Sequence, residues 1–120
     1  MDPRAEDFRL NAAFGALSDA SRREMIRLLL QKPRRAGELA DCVAMSPQAL
    51  SRHLRVLRKA GLVAEHGIEN DARVRIYSVQ AAALEPVQHW MAQVEDLWRR
   101  QLHAFKAFAE NPRRAGRLKP

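Results

Sequence analysis

Met45-Ser46-Pro47-Gln48-Ala49-Leu50-Ser51-Arg52-His53-Leu54-Arg55-Val56-Leu57-Arg58-Lys59-Ala60-Gly61-Leu62-Val63 contains a whole helix, with its start, its two faces and its stop. Ser46 can accept hydrogen bonds from the free amides of a first turn, and Pro47 at the first helical position removes no donor that the helix needs. Leu50, Leu54 and Leu57 recur at i, i+4 and i+7 and therefore share an inward face. Gln48, Ser51, Arg52, Arg55, Arg58 and Lys59 are left on the outer surfaces. Gly61, placed after Ala60, can take the left-handed conformation that ends a helix. No residue from Cys42 to Ala64 is acidic, although Asp and Glu are spread over the rest of the chain. An anionic ligand would meet no local repulsion on this outer face.

Working outward, three shorter helical segments precede it. From Asp7 to Leu17, Phe8, Leu10, Ala13, Phe14 and Leu17 fall near helical spacing, and residues 1–6 read as a flexible N-terminus. Ser18-Asp19-Ala20-Ser21 interrupts the pattern. Asp19 or Ser21 can cap a second helix, whose buried face is supplied by Met25, Ile26, Leu28, Leu29 and Leu30 up to Pro33. A third helix covers about Ala36 to Val43, with Leu39, Ala40 and Val43 inward. After Gly61 the period changes from helical to alternating. Leu62-Val63-Ala64-Glu65-His66 and Val74-Arg75-Ile76-Tyr77-Ser78-Val79 read as two strands joined through Gly67-Ile68-Glu69-Asn70-Asp71-Ala72. A long helix from Ala81 to about Glu110 follows, with Pro86 in or near its first turn. Val87, Trp90, Met91, Val94, Leu97, Trp98, Leu102, Phe105 and Phe108 give it a wide apolar stripe. Residues 111–120 are polar and basic and read as a disordered tail.

The predicted fold is therefore mainly α with a two-stranded β-hairpin, in the order α-α-α-α-β-β-α, with one domain over residues 7–110. Two short helices joined by a tight turn and followed by a hairpin form a winged helix-turn-helix. The bounds agree with this: 120 residues suit a single domain, 47% hydrophobic residues suffice for a core, and a formal net charge of +7 suits a polyanionic partner. No apolar stretch approaches the ~20 residues that a spanning helix needs, and the first residues lack the apolar centre of a signal peptide. The expected location is cytoplasmic, with no membrane partner. Cys42 is the single cysteine, so an intrachain disulfide and a multi-thiolate metal site are excluded. No Gly-rich phosphate loop, nucleophile elbow or paired-carboxylate constellation is present, which argues against an enzyme.

Duplex DNA explains the residue types of the outer face. The major groove admits one α-helix, whose N-terminal half can bring Gln48, Ser51 and Arg52 to base edges. Gln suits adenine and Arg suits guanine through paired hydrogen bonds. Arg55, Arg58 and Lys59, farther along, suit phosphates, as do Ser46 at the helix start and Arg73 and Arg75 on the hairpin; His53 is a secondary backbone candidate that packing inside the motif would equally explain. A winged helix that served only as a protein-interaction module, the other reading of this fold, would have little use for such a face.

Phe14-Gly15-Ala16-Leu17-Ser18-Asp19-Ala20-Ser21-Arg22-Arg23, Gly37-Glu38-Leu39-Ala40, the stretch from Met45 to Val63, and Tyr77 resemble successive signatures of the ArsR/SmtB family of bacterial repressors, over about Phe8 to Phe108. Ala20 departs from the Pro that many members carry there. The resemblance implies a homodimer in which the first and last helices pair across the two-fold. On that basis Phe8, Phe14, Val87, Trp90, Met91, Val94, Leu97, Trp98 and Phe105 are interface candidates. It also implies repression from an inverted-repeat DNA operator, relieved by a signal. Metal-sensing members carry Glu-Leu-Cys-Val-Cys in the third helix. The matching Glu38-Leu39-Ala40-Asp41-Cys42 retains one thiol, and a lone helical Cys more commonly packs as a small core residue. Glu85, His89, Glu95, Asp96 and His103 on the last helix do not have the spacing of the family's inter-subunit zinc site. The expectation is a repressor with no metal and no cofactor, its small-molecule inducer unassigned; a metal-responsive repressor is the alternative.

Overall fold

The structure, a computed structural model, describes residues 2–110, and for Ala72 the backbone alone. The elements are α1 (Pro3–Ala16), α2 (Ala20–Gln31), β1 (Arg34–Arg35), α3 (Ala36–Val43), α4 (Pro47–Lys59), β2 (Val63–Ile68), β3 (Asp71–Val79), a 3-10 turn (Ala81–Leu84) and α5 (Glu85–Glu110). The tail expected over residues 111–120 lies outside the described residues. The chain divides into two compact units, the first ending at Val87 and the second beginning at Gln88.

Helix α1 begins inside the segment read as a flexible N-terminus, and the reason is local. The Asp2 carboxylate accepts from the Arg4 amide at 3.0 Å, and Pro3 occupies the first helical position, a start signal that the apolar spacing from Asp7 onward does not contain. Asp19, rather than Ser21, caps α2 by accepting from the Arg22 amide at 3.1 Å. Ser46 caps α4 by accepting from Ala49 at 3.2 Å. Gly61 sits at φ +77° and ends α4 as its sequence position suggests. Between α3 and α4 the chain turns on Ala44, at φ 50° and ψ 50°, a left-handed conformation that costs a non-glycine residue about 1 kcal/mol. The Met45 amide, which follows it, donates to the Ala40 carbonyl at 3.3 Å and closes the turn of the helix-turn-helix.

The core of the first unit is built where α2, α3 and α4 converge on the base of the hairpin. Met25, Leu39, Leu50, Leu57 and Leu62 are its largest fully enclosed side chains, with Ala13, Ala16, Ile26, Leu29, Leu54 and Val63 around them. All three leucines assigned to the inner face of α4 are buried, each contributing about 1.5–3 kcal/mol by leaving water. Leu30 does not join them: it is exposed, because it falls on the flank of α2 away from Met25, Ile26 and Leu29. Cys42 is exposed as well, which corrects its reading as a core residue; the inward positions of α3 are taken by Leu39, with Ala40 and Val43 half-buried.

The sheet is three-stranded and antiparallel, in the order β1-β3-β2, where the sequence suggested two strands. The added strand, β1, pairs Arg34 with Tyr77 and Arg35 with Ile76. Two residues carry no alternation, so nothing in the sequence marks them as a strand. The hairpin strands also run farther than expected, with Ile68 opposite Asp71 and an irregularity between Gly67 and Ile68, so the turn shrinks to Glu69-Asn70. At the other end, Pro86 is buried near the start of α5, where its missing amide breaks no helical hydrogen bond.

Candidate nucleic-acid interface

Helix α4 presents one continuous outer surface. Gln48, Ser51, Arg52, Arg55, Arg58 and Lys59 are all exposed, while Leu50, Leu54 and Leu57 are buried beneath them. The base-reading candidates thus stand on a helix whose opposite face is locked into the core, which fixes their positions on the scaffold. Ser46 is exposed at the start of the same helix with its Oγ turned to the Ala49 amide.

His53 occupies a different environment. It is half-buried, and its Nδ1 lies 3.3 Å from Nη1 of Arg22. The Arg22 Nε donates to the Ala16 carbonyl at 2.6 Å and its Nη2 to the Gly15 carbonyl at 3.3 Å, while Arg23 donates to the Leu17 carbonyl at 2.8 Å. Two arginines of α2 therefore satisfy the carbonyls left open at the C-terminus of α1, where positive charge is favoured. His53 joins α4 to that junction. The Asp19 carboxyl is held below its ordinary value, first by the hydrogen bond from the Arg22 amide and further by the Ser21 amide and the Arg22 charge, against the opposing effect of desolvation.

The wing candidates separate in the same way. Arg73 lies near the tip, its amide donating to Asp71 at 2.9 Å and its side chain almost wholly in solvent. Arg75 instead reaches Glu65, Nε to Oε1 at 3.3 Å, and the second oxygen of Glu65 contacts Arg58 Nη1 of α4 at 2.6 Å. One carboxylate of β2 thereby draws together a residue of α4 and a residue of β3. Gly67, opposite Arg75 in the ladder, leaves room for this: a Cβ there would stand 3.2 Å from the Arg75 Nη1. Tyr77, the cross-strand partner of Glu65, has its phenol pushed above the ordinary value, chiefly by burial and then by the Glu65 charge, with Arg58 and Arg75 opposing. A cleft of about 500 Å³ at the foot of α4 is lined by Arg55, Arg58, Lys59, Val63, Ala64 and Glu65, five of them cationic or apolar and one acidic.

Glu65 was missed at the sequence level because it lies one residue beyond the acid-free window. Its relation to Arg75 depends on strand register, which the alternation alone does not fix. Arg22 was missed because its role is set by helix packing.

The apolar candidates also divide. Phe8 and Phe14 on α1 are exposed, as are Trp90, Met91, Val94, Leu97, Trp98 and Phe105 on α5. Val87 is half-buried and packs on the core of its own unit. Among the described residues, no three of His, Cys, Asp or Glu are grouped so as to hold a metal ion, and no helix is long and apolar enough to cross a membrane.

With this geometry in place, the likeness to known proteins is consistent along the chain. Residues 19–65, from the cap of α2 to Glu65, match the model of a family described as bacterial regulatory protein, arsR family. The chain is 29% identical over 82 residues to the transcriptional repressor SdpR of Bacillus subtilis, a match covering 68% of this chain and 88% of that protein. It is 30% identical over 93 residues to an HTH-type transcriptional regulator of Mycobacterium tuberculosis, covering 78% and 81% of the two. Among solved structures, an ArsR-like transcriptional regulator from Rhodococcus sp. RHA1 matches with a TM-score of 0.71 and 29% identity, over 92% of this chain and 97% of that one.

Proposed function

The chain belongs to the ArsR family of bacterial regulatory proteins, and from that premise, which makes it a DNA-binding transcriptional regulator rather than an enzyme, we propose that it acts in the cytoplasm as a homodimeric repressor. In this reading α4 enters the major groove of an inverted-repeat operator, and the β2–β3 hairpin rests on the neighbouring backbone. The single observation that carries it is the outer face of α4: six polar or cationic side chains exposed on a helix whose opposite face buries Leu50, Leu54 and Leu57. Gln48, Ser51 and Arg52 read bases; Ser46, Arg55, Lys59 and Arg73 meet phosphates, and Arg58 and Arg75 stand beside them in the Glu65 cluster. His53 acts from behind, by holding α4 to the α1–α2 junction.

The dimeric part of the proposal is supported by exposed apolar side chains. Phe8 is 75% exposed and Trp98 61%, and an aromatic-rich helix face left in water marks an interaction surface. Two copies related by a two-fold would carry two α4 helices into half-sites separated by one turn of the duplex, about 10 base pairs, or a multiple of it. Footprinting of the purified protein on sequences selected from a random pool tests this. The expected result is a protected inverted repeat with two half-sites; coverage independent of sequence would refute it. Repression itself is read by placing the selected repeat across a reporter promoter, where the protein should lower expression.

A further inference from the structure

We propose that Glu65 sets the strength of sequence-independent DNA binding: by drawing Arg58 of α4 and Arg75 of β3 onto one carboxylate, it withholds two guanidinium groups from the phosphates of any duplex and leaves discrimination to the far end of α4. The inference rests on the reading that α4 and the wing meet DNA.

The geometry makes the clamp durable. The Glu65 side chain is only 18% exposed, while those of Arg58 and Arg75 are 51% and 53% exposed. A carboxylate so largely withdrawn from water keeps its charge at low cost only while cations stay against it. Each of its oxygens has one, at 2.6 Å and 3.3 Å. The Arg75 guanidinium lies across the strand close to Gly67, where a Cβ would stand 3.2 Å from its Nη1. Glu65 is also the one acid among the residues lining the cleft at the foot of α4, the place where a phosphate would approach Arg55, Arg58 and Lys59.

Two consequences follow from charge and position. Binding to any duplex strengthens with the number of phosphates neutralised, through release of condensed counterions. With Glu65 ionised, the three-residue cluster carries one net positive charge per subunit instead of two, so the contribution common to all sequences is reduced. The base-reading candidates end at Arg52, which is separated from Arg58 by roughly 9 Å of helix, so the contribution that differs between sequences is untouched. Lowering the first without the second weakens binding to every duplex by the same factor and leaves the ratio of operator to non-operator affinity unchanged.

Anisotropy titrations of the full chain test this on two duplexes over a salt series: one of random sequence, and one selected by the wild type from a random pool. Glu65→Gln should bind the random duplex about threefold more tightly or better, and each arginine that gains a phosphate should steepen the slope of log K against log salt by about 0.9. The selected duplex should gain by about the same factor, so the ratio holds. Glu69→Gln, which removes the same charge from the exposed wing turn, should move the slope less. In an Arg58→Gln/Arg75→Gln background the effect of Glu65→Gln on the slope should vanish. An unchanged slope, equal effects at positions 65 and 69, or a gain confined to one of the two duplexes would each overturn the proposal. Should Glu65→Gln fail to fold, Glu65→Asp tests the same device by shortening the side chain so that one carboxylate no longer spans both guanidinium groups. It should shift the slope in the same direction, and no shift would overturn the proposal equally. A wild type that selects no sequence refutes the reading of α4, whereas a selective wild type with an inert Glu65→Gln refutes the role of Glu65 alone.

Discussion

Arg52 and Arg55 stand three residues apart on one exposed helix surface, yet they are expected to fail differently. Arg52→Ala should relax base preference at one position of each half-site, at about 1–3 kcal/mol per lost contact, whereas Arg55→Ala should weaken all sequences alike and flatten the salt dependence. Competition titrations against single-base variants of the selected operator measure both, and identical behaviour would abolish the division between readers and positioners. Asp19 gives a second prediction at this scale. Its carboxyl is depressed below the ordinary 3.8 by the Arg22 amide above all. Its contribution to stability is therefore complete above that value and is lost as pH falls through the lower value of the folded state. Asp19→Asn should remove this part of the acid sensitivity, so that the unfolding midpoints of variant and wild type converge between neutral pH and pH well below 3.8. Parallel midpoints across that range would contradict the assignment. Single residues were legible in the sequence wherever helical spacing decides exposure, as for Gln48, Ser51 and Arg52. They were hidden wherever a side chain answers to a distant segment, as Arg22 answers to His53 and Glu65 to Arg58.

Helix α4 is the element that the sequence describes most completely, because its cap, its inward leucines and its terminating glycine are all local signals. Two substitutions separate what those signals contribute. Ser46→Ala should cost about 1 kcal/mol through the lost cap. Leu57→Ala, at a fully enclosed position, should cost 2–5 kcal/mol, roughly, through lost burial and the cavity left behind. Denaturant unfolding of both variants measures the difference, and a larger loss at Ser46 than at Leu57 would mean that the helix is held chiefly by its end. The wing was legible only in outline. Its two long strands show alternation, but β1 consists of Arg34 and Arg35, whose pairing partners lie on β3 and cannot be inferred from two arginines. Helix α1 shows the opposite case: the signal was present in Asp2 and Pro3, and apolar periodicity alone starts the helix too late.

At the scale of the whole molecule, the proposed homodimer rests on the exposed apolar stripe of α5. Trp98→Glu places a charge where a large aromatic now meets water. In the proposed homodimer this should produce monomers, and operator affinity should fall by well over tenfold because each half-site would have to be bound independently. Sedimentation and operator titration together check it; a Trp98→Glu dimer that binds normally would remove this face from the interface. The strap formed by β1 has one more effect, on the order in which the chain finds its structure. Helices α3 and α4 and the β2–β3 hairpin close through neighbouring residues, whereas joining Arg34 to Tyr77 closes a loop of roughly forty residues and must first overcome its entropy. The wing can therefore form early as a free hairpin and is fastened to the helices last, so this strap governs how fast the native molecule comes apart more than how fast it forms.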